Sequence, residues 1–385
     1  MVDLAKLAQD IRSWQPAPNA QLNRSAADAR WAQVALIEMY ITHASTDEVL
    51  SLIRSDAIPA QHELYGSVLG LAVKYGTAEL VEALINAGCS VNAGDGSGMT
   101  PTEHAIKSFR ARKDPRMLDA LLKAGGKRLG GENLLCYAAY HGSVPSVEVL
   151  LRRGHDPDEK CRVTWTTPLI CALTEPDSHS IAVTHLLLEA GANPNKSGSH
   201  PHLRTDTDIP INKLAITDAA GIADSTIEEL FDAMMKAGLI IDHAHRDLYH
   251  PLTLCLRANN DAYARLLLRH GANPIHVNTF YRDGAAVVDG DADSRGNTHN
   301  HMRKSPFQLF VGSEMPLTVA YMIEHMDEDP EQRLFDGTPL VQLAFHPPTR
   351  AVMNAAISQK RISLALEGGA SHEPQPTRSR AAPSL

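Results

Sequence analysis

An all-α solenoid of stacked helix-turn-helix units, joined by β-hairpin-like connections, is the fold class that this 385-residue sequence predicts. Three observations predict it. A Thr-Pro-Leu pattern or a near-match recurs, with its first position at Ser67, Thr100, Asn133, Thr167, Ile209, His250, Ser305 and Thr338, in steps of 33, 33, 34, 42, 41, 55 and 33 residues. A period of 33 is the signature of a repeat built from paired helices. A glycine closes the second apolar stretch in successive repeats, at Gly88, Gly125, Gly154, Gly191, Gly238 and Gly271. The chain is 43% hydrophobic but only 5% aromatic, as thin helical layers packed by Ala and Leu require.

The elements follow in chain order. The N-terminal MVDLAKLAQDIRSWQPAP lacks a signal-peptide apolar core and reads as an amphipathic helix. Trp31 to Asp56 lies on the first full repeat with an offset of 32, so that Thr46–Ile53 falls on Ala78–Ile85 and Asp56 falls on Gly88. This is a divergent first repeat. In the full repeats, Thr100, Thr167, Ser305 and Thr338 can cap a helix N-terminus, accepting from backbone donors that have no partner within the helix. Pro101, Pro168, Pro306 and Pro339 follow at the first helical position, where a missing N–H costs nothing. Second helices are expected at Leu80–Ala87, Met117–Ala124, Val147–Arg153, Val183–Ala190, Leu230–Ala237 and Tyr263–His270. Each ends in a glycine that readily takes the left-handed conformation. Arg350 to Glu367 reads as one long terminal helix whose apolar stripe is interrupted by Gln359, Lys360 and Arg361. The Pro/Ser/Arg-rich tail beyond it reads as disordered. The expected organisation is a helix and linker over 1–30, a repeat array over 31–370 and a tail over 371–385.

SVLGLAVKYGTAELVEALINAGCSVN and TPLICALTEPDSHSIAVTHLLLEAGANPN resemble ankyrin repeats closely, and the likeness runs from roughly Ser67 to Gly369. The resemblance implies recognition of another protein through a concave face and a hairpin edge. It does not select among inhibitor, immunity-type, adaptor and secreted-effector roles, because the family is defined by architecture and not by chemistry.

Composition agrees. A chain of this length ordinarily makes two or three domains, but a repeat array escapes that count because each repeat packs only on its neighbours. A net charge of −9 gives no electrostatic case for nucleic acid. No apolar run approaches the length of a membrane span. The five cysteines, Cys89, Cys136, Cys161, Cys171 and Cys255, are scattered without CxxC spacing, and they read as small buried hydrophobes in a reducing compartment. The expectation is a monomeric cytoplasmic protein without a cofactor, or one translocated into a host cell if it is a bacterial effector.

Three steps exceed the period. Extra residues fall near 196–208, around Thr217–Ser225 and over 278–304. Insertions in such arrays map to loops on one face, often the binding face. The longest contains Asp289, Asp291 and Asp293 at alternate positions, then His299 and His301. The start resembles a calcium loop, but Ser294 replaces its glycine and Asn300 its bidentate glutamate, so no metal is assigned. A metal- or ligand-responsive sensor using this insertion is an alternative function.

The connections between repeats supply the candidate partner-binding residues. These are Asp95 and Met99 after Gly88; Lys160, Arg162 and Trp165 after Gly154; Arg246, Asp247 and Tyr249 after Gly238; and Phe280 and Tyr281 at the head of the long insertion. Trp and Arg are the types most enriched at binding hot spots. Trp165 covering the neighbouring hairpin, and Phe280 and Tyr281 pinning their loop to the helices, are the competing structural explanations. For catalysis, GxSxG, HExxH and GxxxxGK[ST] are all missing. His104 stands where a first helix ordinarily has an apolar or small residue, and His141 precedes Gly142 at an inter-helix turn. A His/Asp site on the concave face is the second alternative.

Overall fold

The computed structural model describes residues 3–13, 24–62, 66–108, 114–128, 133–174, 178–198, 209–216, 224–242, 251–274, 306–311, 313–325, 334–335, 338–339 and 347–370. The chain divides into two compact blocks. The first comprises Met1–Lys213 with Ser225–Leu239, and the second Leu214–Asp224 with Ile240–Leu385.

The first block opens with α1 (Leu4–Ser13), which buries Leu7, Ala8 and Ile11 against α2 (Arg24–His43). The second helix starts at Arg24, seven residues before the expected first repeat. It pairs in sequence with α3 (Thr46–Arg54), started by a Ser45–Glu48 capping box. Four helix pairs follow: α4 (Val68–Tyr75) and α5 (Ala78–Asn86), α6 (Pro101–Lys107) and α7 (Pro115–Lys123), α8 (Leu134–Tyr140) and α9 (Val144–Arg152), and α10 (Pro168–Ala172) and α11 (Ser178–Glu189). Helix α12 (Pro210–Ile216) straddles the division between blocks, and α13 (Asp224–Lys236) returns to the first. First helices stack on first helices, α4 on α6, α6 on α8 and α8 on α10, and second helices stack likewise from α3 to α11.

Two of the predicted start signals work as read, Thr100 and Thr167, and Ser305 lies outside the described residues. Ser67 and Asn133, at the same place in their repeats, likewise accept from a backbone N–H in the first turn of their helix. Such a cap stabilises a helix by about 1 kcal/mol. The stop signals work too. Gly88, Gly125, Gly154, Gly191, Gly238 and Gly271 all have φ between 81° and 93°. In each case the next residue donates its N–H to the carbonyl five residues back, as Cys89 does to Leu84 at 3.0 Å. The residue supplying that carbonyl is Leu84, Leu121, Leu150, Leu187, Met234 or Leu267, and all six are fully buried. One position therefore ends the helix and fills the core, with each side chain contributing about 2 kcal/mol of burial. Nothing lies within 4 Å of a Cβ added at these glycines, so the sign of φ is the constraint and not space. Asp56 takes the same role in the divergent first repeat at φ 57°.

The second block holds α14 (Pro251–Arg257), α15 (Asp261–Arg269), α16 (Pro306–Val311), α17 (Pro316–Glu324) and the terminal α18 (Pro347–Ala370). Pro306 starts its helix as expected, and Pro251 does the same in the preceding pair. Thr338 and Pro339 correct the reading. They form a short strand β4 (Thr338–Pro339), paired antiparallel with β3 (Leu334–Phe335), instead of capping and starting a helix. A residue before proline is confined to extended geometry, which suits a strand as well as an N-cap. The intervening pair in the sequence is Asp-Gly, the pair that two-residue hairpin loops favour. A second two-strand pair, β1 (Gln61–His62) with β2 (Gly66–Ser67), leads into α4.

Candidate functional site

Two hairpins in the first block carry five of the predicted residues. In the first, Asp95 donates its N–H to Met99 O at 2.9 Å and Gly98 donates to Asp95 O at 2.7 Å. In the second, Cys161 donates to Thr166 O at 2.9 Å and Trp165 donates to Cys161 O at 2.8 Å. Each runs directly into a capping threonine, Thr100 or Thr167.

Asp95 organises the first hairpin from within. One carboxylate oxygen accepts from Ser97 N at 2.9 Å, from Ser97 Oγ and from Met99 N at 3.1 Å. The other meets His104 Nε2 at 2.8 Å and Lys74 Nζ at 3.3 Å. An ionised carboxylate only accepts, so Nε2 carries the proton in this pair. Burial opposes ionisation of Asp95, but these donors outweigh it and hold the carboxyl well below its ordinary range. Burial and the neighbouring Lys74 charge push the His104 imidazole below its ordinary value. With 11% of its side chain exposed, Asp95 holds the hairpin together and presents little surface. Met99 is half-buried beside it.

The second hairpin has a cysteine in the position of that aspartate. Burial raises the Cys161 thiol, but donors on Thr164 and Val163 more than compensate, and it sits below the ordinary thiol range. Cys136 donates to Thr166 O at 3.5 Å and Cys171 lies 3.2 Å from Thr166 Oγ1, so three cysteines surround the hairpin base. At the tip Arg162, Val163 and Thr164 are exposed, Val163 by 61%. Trp165 is half-buried with φ 60°. It stands two residues before the capping threonine, where Gly98 has φ 80° in the first hairpin.

Lys160 and Arg162 enter a cavity of about 430 Å³ between the connection that follows Gly125 and the one that follows Gly154. The opposite wall is Lys127 and Arg128, and Arg153 completes the rim. Sequence reading missed these three, because they come from a different connection and from a helix end. Arg128 is fixed by Glu103 at 2.8 Å and stacks 4.4 Å over the Tyr137 ring. Arg153 is held by Asp119 at 2.8 Å. Gly126 lets the chain pass close, since a Cβ there would fall 2.4 Å from Thr102 Oγ1 and 2.8 Å from Leu121 O.

A recurrent clasp joins successive connections. The side chain four residues after a closing glycine accepts from the N–H two residues after the next one. Asn92 takes Lys127 N at 2.9 Å, Asp158 takes Asn193 N at 3.0 Å, and in the second block Asp242 takes Asn273 N at 3.1 Å. After Gly125 the corresponding residue is Leu129, which has no polar side-chain atom to offer. Among the described residues, no side chain accepts from the N–H of Asp156 across the cavity. The clasp is also absent after Asp56, where the position is Ala60.

Arg246, Asp247, Tyr249, Phe280 and Tyr281, and the carboxylates and histidines of the long insertion, lie outside the described residues. Among the described residues no group of three His, Cys, Asp or Glu side chains is placed to hold a metal ion, and no helix is long and apolar enough to cross a membrane. His141 packs its ring edge against Tyr137 and Tyr140 at 4.5 and 5.2 Å, a structural use at the turn.

No family model matches the sequence, and no curated protein matches it. Solved structures similar to the chain are ankyrin repeat domains. That of Bcl-3, described as a unique member of the IkappaB family, is 22% identical over 60% of this chain and 97% of its own, with a TM-score of 0.45. The human ASB11 domain is 18% identical over 76% of this chain and 97% of its own, with a TM-score of 0.41. A domain from Acinetobacter baumannii is 22% identical over 52% and 97%, with a TM-score of 0.40. On its own repeat, a capped first helix, a second helix closed by a left-handed glycine, and a clasped hairpin connection, the chain folds as an ankyrin-repeat protein.

Proposed function

We propose that the chain is a protein-recognition module, acting without a cofactor, that holds a macromolecular partner along the edge formed by its hairpins and connections, with Trp165 as the anchor. The conformation of Trp165 carries this reading. Left-handed backbone costs a non-glycine residue about 1–2 kcal/mol, and Gly98 meets the same need in the sister hairpin at no such cost. Strained residues of this kind cluster at binding and active sites. The exposed Arg162 and Val163 beside it add the charge and apolar surface of a contact patch. Asp95 and His104 support a binding module over an enzyme, since the pair is bonded into its own hairpin and lines neither described cavity. Inhibitor and effector roles both use such an edge, and both fit a cytoplasmic protein.

The test begins with affinity purification of the full chain and identification of its partner by mass spectrometry. Trp165→Ala is expected to weaken that partner's binding by about 2 kcal/mol or more while circular dichroism stays unchanged. Unchanged affinity for a folded variant sinks Trp165 as the anchor.

A further inference from the structure

The cavity beside the second hairpin has a character that the recognition reading does not use. Among the described residues, five Lys and Arg side chains line it against one carboxylate, Glu159, in a chain whose net charge is −9. Glu159 is itself engaged, accepting from Asn133 Nδ2 at 3.2 Å. Arg128 and Arg153 are held by carboxylates outside the cavity lining, on Glu103 and Asp119. Among the described residues, Lys127, Lys160 and Arg162 have no ion-pair partner. Three cations without an ion-pair partner among the described residues therefore line one cavity. Like charges placed together repel unless an anion lies between them, and low-dielectric walls strengthen that attraction.

An independent feature marks the same place. The connections after Gly88 and Gly154 are each clasped to the next by an Asn or Asp side chain, whereas among the described residues no side chain accepts from the N–H of Asp156, and the sequence has an apolar leucine in register with those acceptors. Among the described residues, that clasp is missing at the junction where the cations gather. The second described cavity, about 600 Å³ between α5 and α7, shows the contrast. Its Arg116 and Lys123 are paired with Glu79, Asp114 and Asp119.

We infer that this cavity is the docking groove for an acidic segment of the protein partner, whose Asp or Glu carboxylates enter between Lys127 on one wall and Lys160 and Arg162 on the other. The partner's backbone then runs along the seam toward Trp165. A polyanion such as nucleic acid is disfavoured, because the cationic surface is local and the remainder of the chain is acidic. The inference rests on the recognition reading and adds the chemistry of the occupant.

The experiment measures fluorescence anisotropy of a labelled twelve-residue peptide with Glu at alternate positions, titrated with the full chain, beside the same peptide with Gln. The Glu peptide is expected to bind, more weakly as salt rises, and the Gln peptide to fail. K127E/R162E is expected to weaken binding about tenfold or more, whereas the charge-matched K107E/K236E, at exposed helix ends, leaves it within about twofold. Equal binding of the two peptides, equal loss in the two double variants, or no binding of the Glu peptide overturns the inference. So does displacement of the Glu peptide by inorganic phosphate at equal concentration, which would make the occupant a phosphoryl group. The purified partner separates this failure from the broader one. If Trp165→Ala weakens its binding and K127E/R162E does not, the acidic groove falls and recognition stands; if neither does, both fall.

Discussion

The hairpins Asp95–Met99 and Cys161–Thr166 occupy equivalent places in their repeats and end on equivalent capping threonines, yet they solve the turn differently. The first uses a carboxylate to gather two backbone N–H groups, a hydroxyl, an imidazole and an ammonium, and uses glycine where φ must be positive. The second has a buried cysteine in the place of that carboxylate and a tryptophan in the left-handed position. The first turn is built for stability. The second gives up some stability and gains an aromatic side chain at a fixed place on the edge. The difference teaches where scaffold ends and recognition begins within one kind of turn.

The comparison can be broken at its strongest point first. Asp95→Ala leaves the Ser97 and Met99 N–H groups and a buried imidazole without their acceptor, and is expected to cost about 2–3 kcal/mol in chemical denaturation. Cys161→Ala is expected to cost less than about 1.5 kcal/mol, because a thiol is a weak acceptor. Equal costs would mean that the two hairpins are organised alike. Exchanging the left-handed residues tests the second contrast. Gly98→Trp is expected to destabilise by about 1–2 kcal/mol, while Trp165→Gly leaves stability within about 1 kcal/mol of the parent, measured by thermal melting. A large loss in Trp165→Gly would make the indole a packing element of the fold.

The smallest effect is in pH. The folded His104 binds its proton less well than the unfolded chain does, because burial and Lys74 oppose the charge. Its contribution is complete above the ordinary imidazole value of 6.5 and is lost as pH falls from there through the lower folded value. Asp95 acts in the same sense, but only in much stronger acid, since its carboxyl stays ionised well below the usual range. Thermal stability of the full chain should therefore decline from pH 7 to pH 5, and His104→Gln should flatten that slope. A parallel slope in the variant would assign the decline to other groups.

The parts of the fold that sequence made legible are those whose cause lies within one turn of chain. Thr100 caps a helix whose N–H groups are two and three residues away, and Gly88 ends one whose carbonyls are equally near, so spacing alone reveals both. Asp56 was legible for the same reason, as a residue type that tolerates the left-handed region. Thr338 misled because extended backbone before proline serves a strand and a cap alike. At the site, Lys160, Arg162 and Trp165 were legible as residues of one connection. Their partners Lys127, Arg128 and Arg153 were not, since a cavity between connections is a property of stacking. Nor was the conformation of Trp165, because glycine is the residue that sequence reading expects there.

The clasp between connections has a consequence for how such a chain changes. It asks one residue for a side-chain acceptor and the next connection for a backbone N–H that all but proline possess. Repeats joined this way are interchangeable parts, since almost any sequence at the second position satisfies the first. Where the sequence has an apolar residue at the acceptor position, as at Leu129, no side chain there can make the clasp, and the helix pairs on either side still form. A uniform scaffold can thus give up one clasp at a chosen junction by a single exchange, without redesigning a helix.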